Sequence, residues 1–206
     1  MTTPVSVSAP GAGTSAGGFT PEDLLTMPDA GRFELIGGNL VERHMSALSS
    51  FVAAQLVILL GAHCREHQLG WILDSEVGYR CFPWKPGRLR RADVSFIAAA
   101  RYSVAQLSRE GQVSIAPDLA VEVISPGDEV SELNRKLSDY RRAHVRLVWV
   151  IDPEARIVDV HALDGTLARL REGDELSGGD VIPGFRCPVA AVFPPAEEAS
   201  PAEPAS

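Results

Sequence analysis

The segment Asp118-Leu-Ala-Val-Glu-Val-Ile-Ser125 places the tightest limit on what this chain can fold into. A continuous apolar run of this kind, rich in β-branched residues, is the pattern of a strand buried on both faces of a sheet. Glu122 stands inside the run, with Val121 and Val123 beside it and Ala120 and Ile124 two positions away. A lone carboxylate in such a strand costs several kcal/mol unless it is paired, protonated or bound to a cation. An ion pair with an arginine is the plainest resolution; a metal site is the other.

The remaining pattern surrounds that strand with helices and further strands. Leu147 to Ile151 is a second continuous apolar run, and the turn residues Asp152-Pro153 lead from it to a strand at 157 to 163. Strands are also expected at 71 to 80 and 92 to 98, with a further pair near 166 to 171 and 181 to 185. Arg32 to Ile36 enters Gly37-Gly38 and returns at Val41-Glu42-Arg43, a hairpin pattern. Thr20-Pro21-Glu22-Asp23 opens a short helix, with Thr at the cap and two acids facing the helix dipole. The longest helical pattern covers 46 to 68, where Leu48, Phe51, Val52, Leu56, Leu59 and His63 follow the 3.6-residue period before Gly70. A second helix is expected over 129 to 143. Together these predict an α/β fold with a mixed sheet. Residues 1 to 18 carry no charge and 194 to 206 are Pro, Ala, Glu and Ser, so disordered tails are expected around one domain at 19 to 193.

Asp93 is a second acid at a strand. It opens Val-Ser-Phe-Ile-Ala and lies 29 residues before Glu122. That separation suits neighbouring strands joined through a short helix between Arg101 and Arg109; its plain alternative is a strand-end cap. Two carboxylates on adjacent strands with a backbone carbonyl make an oxygen-rich site suited to Mg²⁺ or Mn²⁺. Lys85 and Lys136 are the only lysines, and every other basic side chain is Arg. Leu133, Leu137 and Tyr140 define the inward stripe of the second helix. At ~100° per residue Lys136 lies about 60° to one side of Leu133. It borders the core and either reaches a strand end or snorkels over apolar surface.

The formal net charge is −8 and the pI near 5.1, which disfavours non-specific coating of nucleic acid. Lys85, Arg88, Arg90 and Arg91 nevertheless crowd together, either as an ordinary solvated loop or as one that contacts phosphates. Cys64, Cys81 and Cys187 form no Cys-x-x-Cys pair, so neither a disulfide framework nor a thiolate zinc site is supported. The charge-free apolar stretch Phe51 to Cys64 is shorter than the ~20 residues a membrane span needs. No basic-then-apolar leader opens the chain. A cytoplasmic protein without a membrane partner is expected.

In order along the chain, FELIGGNLV (33 to 41), ADVSFI (92 to 97), PDLAVEVISPGDE (117 to 129), RKLSDYRRAHVRLVWVIDP (135 to 153) and VIPGF (181 to 185) resemble the Uma-two family of endonucleases. That family is a bacterial group within the PD-(D/E)xK restriction-endonuclease-like superfamily, and the resemblance spans nearly all of 19 to 193. It implies a restriction-endonuclease-like mixed β-sheet core flanked by helices. It implies Mg²⁺ or Mn²⁺ held by Asp93, Glu122 and the main-chain carbonyl of Val123, with Glu34 as a third acidic ligand. Ile124 stands where the superfamily's lysine normally does, and Lys136 matches the lysine that replaces it in this family. Ser49 stands roughly where relatives carry a His, and Ala92 replaces the usual Pro before Asp93. The implied reaction is hydrolysis of nucleic-acid phosphodiester bonds, most simply DNA, with Lys85, Arg88, Arg90 and Arg91 on backbone phosphates. A homodimer is the expected form for cutting both strands. Two other readings compete. His63-Cys-Arg-Glu-His67 fits the H-x-x-E-H pattern of some zinc peptidases. An inactive nuclease-like fold, acting as a dimerisation or nucleic-acid-binding module, is the other. Mg²⁺ or Mn²⁺ binding, Zn²⁺ binding, or neither, separates the three.

Overall fold

The computed structural model describes residues 18–195, so the expected tails at 1 to 18 and 194 to 206 lie almost wholly outside the described residues. The first helix, α1 (Asp23–Thr26), follows a turn in which Thr20 and Asp23 bond each other reciprocally. The Thr20 N–H donates to the Asp23 carboxylate at 2.7 Å and the Asp23 N–H donates to the Thr20 hydroxyl at 3.3 Å. Strands β1 (Phe33–Ile36) and β2 (Asn39–Glu42) form an antiparallel hairpin. Its turn needs Gly37 and Gly38, at φ of 59° and 83°, because side chains with a Cβ avoid that left-handed region. Then follow α2 (Ala47–Glu66), β3 (Gly70–Asp74), β4 (Gly78–Tyr79), β5 (Val94–Ala98), α3 (Val104–Arg109), β6 (Gln112–Val113) and β7 (Leu119–Val123). The chain continues through α4 (Val130–Arg142), β8 (Leu147–Asp152), β9 (Ile157–Ala162), β10 (Leu167–Arg171), β11 (Glu175–Ser177) and β12 (Arg186–Pro188).

Six strands make the main sheet in the order β10-β9-β8-β7-β5-β3. Only β7 and β8 run parallel; the other pairs are antiparallel, which makes the sheet mixed as expected. The β5–β7 register sets Val94 opposite Val121. Asp93, one residue before β5, therefore meets the Glu122 end of β7, and its N–H donates to the Val121 carbonyl at 2.9 Å. Side chains alternate across a strand. Leu119, Val121 and Val123 face α2, where they pack with Val52, Leu56, Leu60 and Cys64. Ala120 faces the other way and packs with Tyr140 of α4, so Glu122, two residues on, points to the α4 side.

The structure departs from expectation in three places. The buried stripe of α2 contains Val52, Leu56, Leu60 and Cys64, whereas Phe51 is 43% exposed, because the sheet covers a narrower arc of the helix than its apolar content suggests. An 18-residue window of this 20-residue helix has a mean hydropathy of 1.8, so the helix exceeds the apolar stretch read from the sequence and is long and apolar enough to cross a membrane by length and composition alone. Its inward side forms part of the core instead. Residues 181 to 185 are a loop rather than a strand. Ile182 and Phe185 drop into the core from it, and Gly184 turns at φ 79° into β12, which pairs with β11. The run at 71 to 80 also divides, since β3 joins β5 in the main sheet while β4 pairs with β6.

Candidate active site

The hairpin, the start of β5, the end of β7 and the first turns of α4 meet around a pocket of about 390 Å³. Glu34, Asp93, Glu122, Val123 and Lys136 all line it. Glu122 is held at both oxygens by α4: Oε2 accepts from Lys136 Nζ at 2.7 Å and Oε1 from the Tyr140 hydroxyl at 2.6 Å. Lys136 and Tyr140 are one helical turn apart, the i, i+4 spacing that puts two side chains on one face. The Lys136 ammonium is also 3.2 Å from Glu34 Oε1. Asp93 Oδ2 accepts the Val123 N–H at 2.7 Å, which fastens it to β7, and Oδ1 pairs with Arg43.

Burial pushes the Glu122 carboxyl up to about 7; Lys136 pulls it down, and the neighbouring charges of Asp93 and Glu34 push it up again. The Lys136 ammonium is disfavoured by burial, yet Glu122, Glu34 and Asp93 hold it well above its ordinary value. It stays charged at any ordinary pH. Burial also works to raise Glu34, but Lys136, Arg90 and the Arg91 N–H outweigh it and keep that carboxyl below its usual range.

Asp93 and Glu122 present the hard carboxylate oxygens that Mg²⁺ and Mn²⁺ prefer, and their mutual repulsion calls for a cation between them. By donor chemistry the pair suits a divalent ion, with Arg43, the Val123 N–H, Lys136 and Tyr140 now occupying its oxygens. Glu34 fits that role poorly: its Oε2 accepts from Arg90 at 2.8 Å and its Oε1 from the Arg91 N–H at 2.8 Å, so it holds Lys136 instead. Among the described residues no three His, Cys, Asp or Glu side chains gather as a metal cluster. Arg43 is a site residue that the sequence does not announce. It competes for the Asp93 oxygen that a metal would use.

The basic loop is the main correction. Arg90 is 0% exposed and bonds Glu34, Glu132 and Asp139 together. Arg88 is buried against Asp139, and Arg91 donates to the main-chain carbonyls of Phe33 and Glu76. The segment threads between the hairpin and β4, with Leu89 bridged to Leu35 and Arg90 to Tyr79. Acids from the hairpin and α4 draw its side chains inward, away from any phosphate. Lys85 alone stays half-exposed, 3.5 Å from Asp139.

The two departures from the family pattern have structural roles. Ser49 is fully buried; it caps α2 reciprocally with Ser46, and its hydroxyl lies 2.7 Å from that of Ser125, just beyond β7. Ala92 packs against Ala120 and Tyr140. His63 is on the last turn of α2, with Nε2 2.9 Å from the Pro183 carbonyl and its ring against Phe185; its ring lies 4.5 Å from that of His67, and among the described residues no third ligand joins them as a metal cluster.

A family model for Uma2, described as "Putative restriction endonuclease", matches residues 21–190. Among solved structures, that of "a putative nuclease belonging to DUF820 from Anabaena variabilis ATCC 29413" is similar, with a TM-score of 0.71 and 16% identity over 85% of this chain and 97% of that chain. At that identity the likeness shows the fold, which is restriction-endonuclease-like. No curated protein matches this chain.

Proposed function

We infer the function from one premise: this chain belongs to the Uma2 family, described as putative restriction endonucleases. On that footing we propose a metal-dependent endonuclease that hydrolyses phosphodiester bonds in nucleic acid, with DNA as the first candidate substrate. The carrying observation is the convergence of Asp93, Glu122 and Lys136 in one pocket from β5, β7 and α4. Asp93 and Glu122 would hold Mg²⁺ or Mn²⁺, with the Val123 carbonyl as a further oxygen. The ion, once bound, would polarise the scissile phosphate and acidify a water. Loading the site requires Arg43 to leave Asp93 and Glu122 to give up its proton. Glu34 and Glu122 fix the Lys136 ammonium at the pocket wall, where it orients the attacking water or meets the charge developing on phosphate. Were the substrate a duplex, cutting both strands would take two such centres, and a pair of chains in the cytoplasm would be the corresponding assembly.

A Mn²⁺-dependent cleavage assay on single- and double-stranded DNA and RNA tests this. Wild type is expected to cut, and Asp93→Ala to lose both cleavage and Mn²⁺ binding. Calorimetric Mn²⁺ titrations add a pH signature. Glu122 is protonated below about 7, so affinity is expected to fall about tenfold per pH unit below that value and to level off above it. In the metal-free protein the same raised carboxyl contributes stability at low pH that is lost as pH rises through about 7. Equal affinity at pH 6 and pH 8 would remove Glu122 from the ligand set.

One observation favours the inactive module: every oxygen of Asp93 and Glu122 already has a donor within the protein. On that reading wild type takes up no Mn²⁺ at millimolar concentration.

A further inference from the structure

Folding turns Arg88, Arg90 and Arg91 inward, so a polyanionic substrate has to meet other cations. They stand on α4. At about 100° per residue, Ser131, Asn134, Arg135, Ser138, Arg141 and Arg142 fall within an arc of roughly 120°, whose Asn134–Ser138–Arg141 edge borders Val148 of β8 and His161 of β9. The three arginines of that arc are exposed. The arc holds three guanidinium groups and three hydroxyl or amide side chains, with no acid among them. The acids of the helix point elsewhere. Asp139 is buried against Arg88 and Arg90, and Glu132 is drawn inward by Arg90 while also bonding Arg135 at 2.9 Å. Arg141 and Arg142 have no carboxylate partner among the described residues.

An aromatic side chain extends this face. The Arg142 guanidinium lies over the Trp84 ring, 4.6 Å from its centre, and Trp84 is braced edge-on by Phe82. Lys85, next in sequence, has a side chain 47% exposed. Cations beside a half-exposed aromatic ring form the surface that single nucleic-acid strands use, with phosphates on the charges and a base on the part of the ring that Arg142 and Phe82 leave open. The face also leads to the catalytic pocket. Arg135 lines that pocket beside Lys136, and Arg142 lies about 10.5 Å farther along the axis at 1.5 Å per residue. Glu42, Asp128 and Glu129 occupy other parts of the rim and repel a polyanion there.

We propose that the outer face of α4, continued by Trp84 and Lys85, is the track along which one nucleic-acid strand reaches the Asp93–Glu122–Lys136 pocket. This rests on the nuclease reading and adds to it the substrate's path and its single-stranded form. Arg135, Arg142 and Lys85 bind phosphates spaced along the strand, Arg141 flanks them, and Trp84 takes a base. The net charge of −8 leaves this local face to do the steering.

The test uses the full chain carrying Asp93→Ala, so that binding is read without cleavage. Fluorescence anisotropy is followed with a labelled single-stranded DNA oligomer, the matching RNA and the matching duplex, over a range of KCl concentrations. Adding Arg141→Ala and Arg142→Ala is expected to weaken strand binding at least tenfold. It should also lower the slope of log K against log salt by ~0.7 for each phosphate that is no longer neutralised. Trp84→Ala is expected to weaken binding by about 5- to 150-fold with the slope unchanged, since stacking releases no counterions. Thermal melts confirm that each variant is folded, and because Arg142 covers the Trp84 ring, Arg141→Ala alone is also measured as the variant that leaves the ring contact intact. An arginine variant that binds as tightly, with the same slope, overturns the track; Mn²⁺-dependent cutting by the wild type would then leave the nuclease reading standing. Tighter binding of duplex than of strand overturns the single-strand assignment. Equal competition by poly-glutamate makes the face a general acidic-partner site and overturns the proposal. A parent protein that binds no nucleic acid even at low salt overturns both readings.

Discussion

Lys136→Ala is expected to slow Mn²⁺-dependent cleavage by a factor of about 100 to 1,000, the usual cost of losing one transition-state donor. Lys136 is the one cation that α4 aims into the pocket between two acids, 2.7 Å from Glu122 and 3.2 Å from Glu34. Ile124, at the position of the superfamily's lysine, can neither donate a side-chain hydrogen bond nor carry charge. Lys136→Arg should rescue little, because the space between the two acids is shaped around a compact ammonium rather than a planar fork. The alanine variant should also melt lower without metal, since two buried carboxylates lose the cation they share, and Mn²⁺ should restore part of that loss. Single-turnover rates at saturating Mn²⁺ separate the chemical defect from weaker metal binding. A wild-type rate there would return Lys136 to a purely structural role.

Arg90→Ala is expected to cost about 3 to 5 kcal/mol of stability, because it strands buried acids instead of removing a whole network. The guanidinium is 0% exposed and bonds Glu34 at 2.8 Å and Asp139 at 2.9 Å, with Glu132 as its third acid. For a domain of this size the loss corresponds to a melting-temperature drop of roughly 6 to 20 °C. Arg90→Lys should recover little, since one ammonium cannot serve acids from both the hairpin and α4. Arg169→Ala is the matched control. Its bidentate pair with Asp159 is largely exposed, so it should change stability by less than about 1 kcal/mol. Equal melting temperatures for the two variants would show that the Arg90 cluster does not hold the hairpin in place.

The contrast between Lys136 and Arg90 shows what the sequence makes legible. Glu122 is conspicuous because a carboxylate breaks an apolar strand, and the helical period then brings Lys136 near it from only 14 residues away. Asp93 follows from strand spacing. Arg88, Arg90 and Arg91 read as a solvated basic loop because residues 77 to 92 hold no acid and Asp93, the nearest, belongs to the next strand. Their partners Glu34 and Asp139 lie 56 and 49 residues from Arg90, beyond any local pattern. Glu34 is legible as an acid, but its work of holding Lys136 and Arg90 depends on those distant pairings. Arg43 follows a hairpin strand and carries no signal of its own. Tyr140 reads only as an apolar stripe residue, yet it stands one turn from Lys136, and that spacing is a signal for its hydroxyl. The path of 181 to 185 escapes because Ile182 and Phe185 are apolar enough for a strand yet reach the core from a loop.

The long reach of Arg90 has a consequence for how the protein is made. During synthesis the hairpin carrying Glu34 emerges well before α4, and contacts between distant segments form late because the intervening chain has to close first. Glu122, Lys136 and Tyr140 come together early, within one β7–α4 unit. Glu34, Asp93 and Arg43 join them only when the hairpin and β5 dock. A nascent chain thus carries only part of the candidate site until the hairpin and β5 dock against the β7–α4 unit.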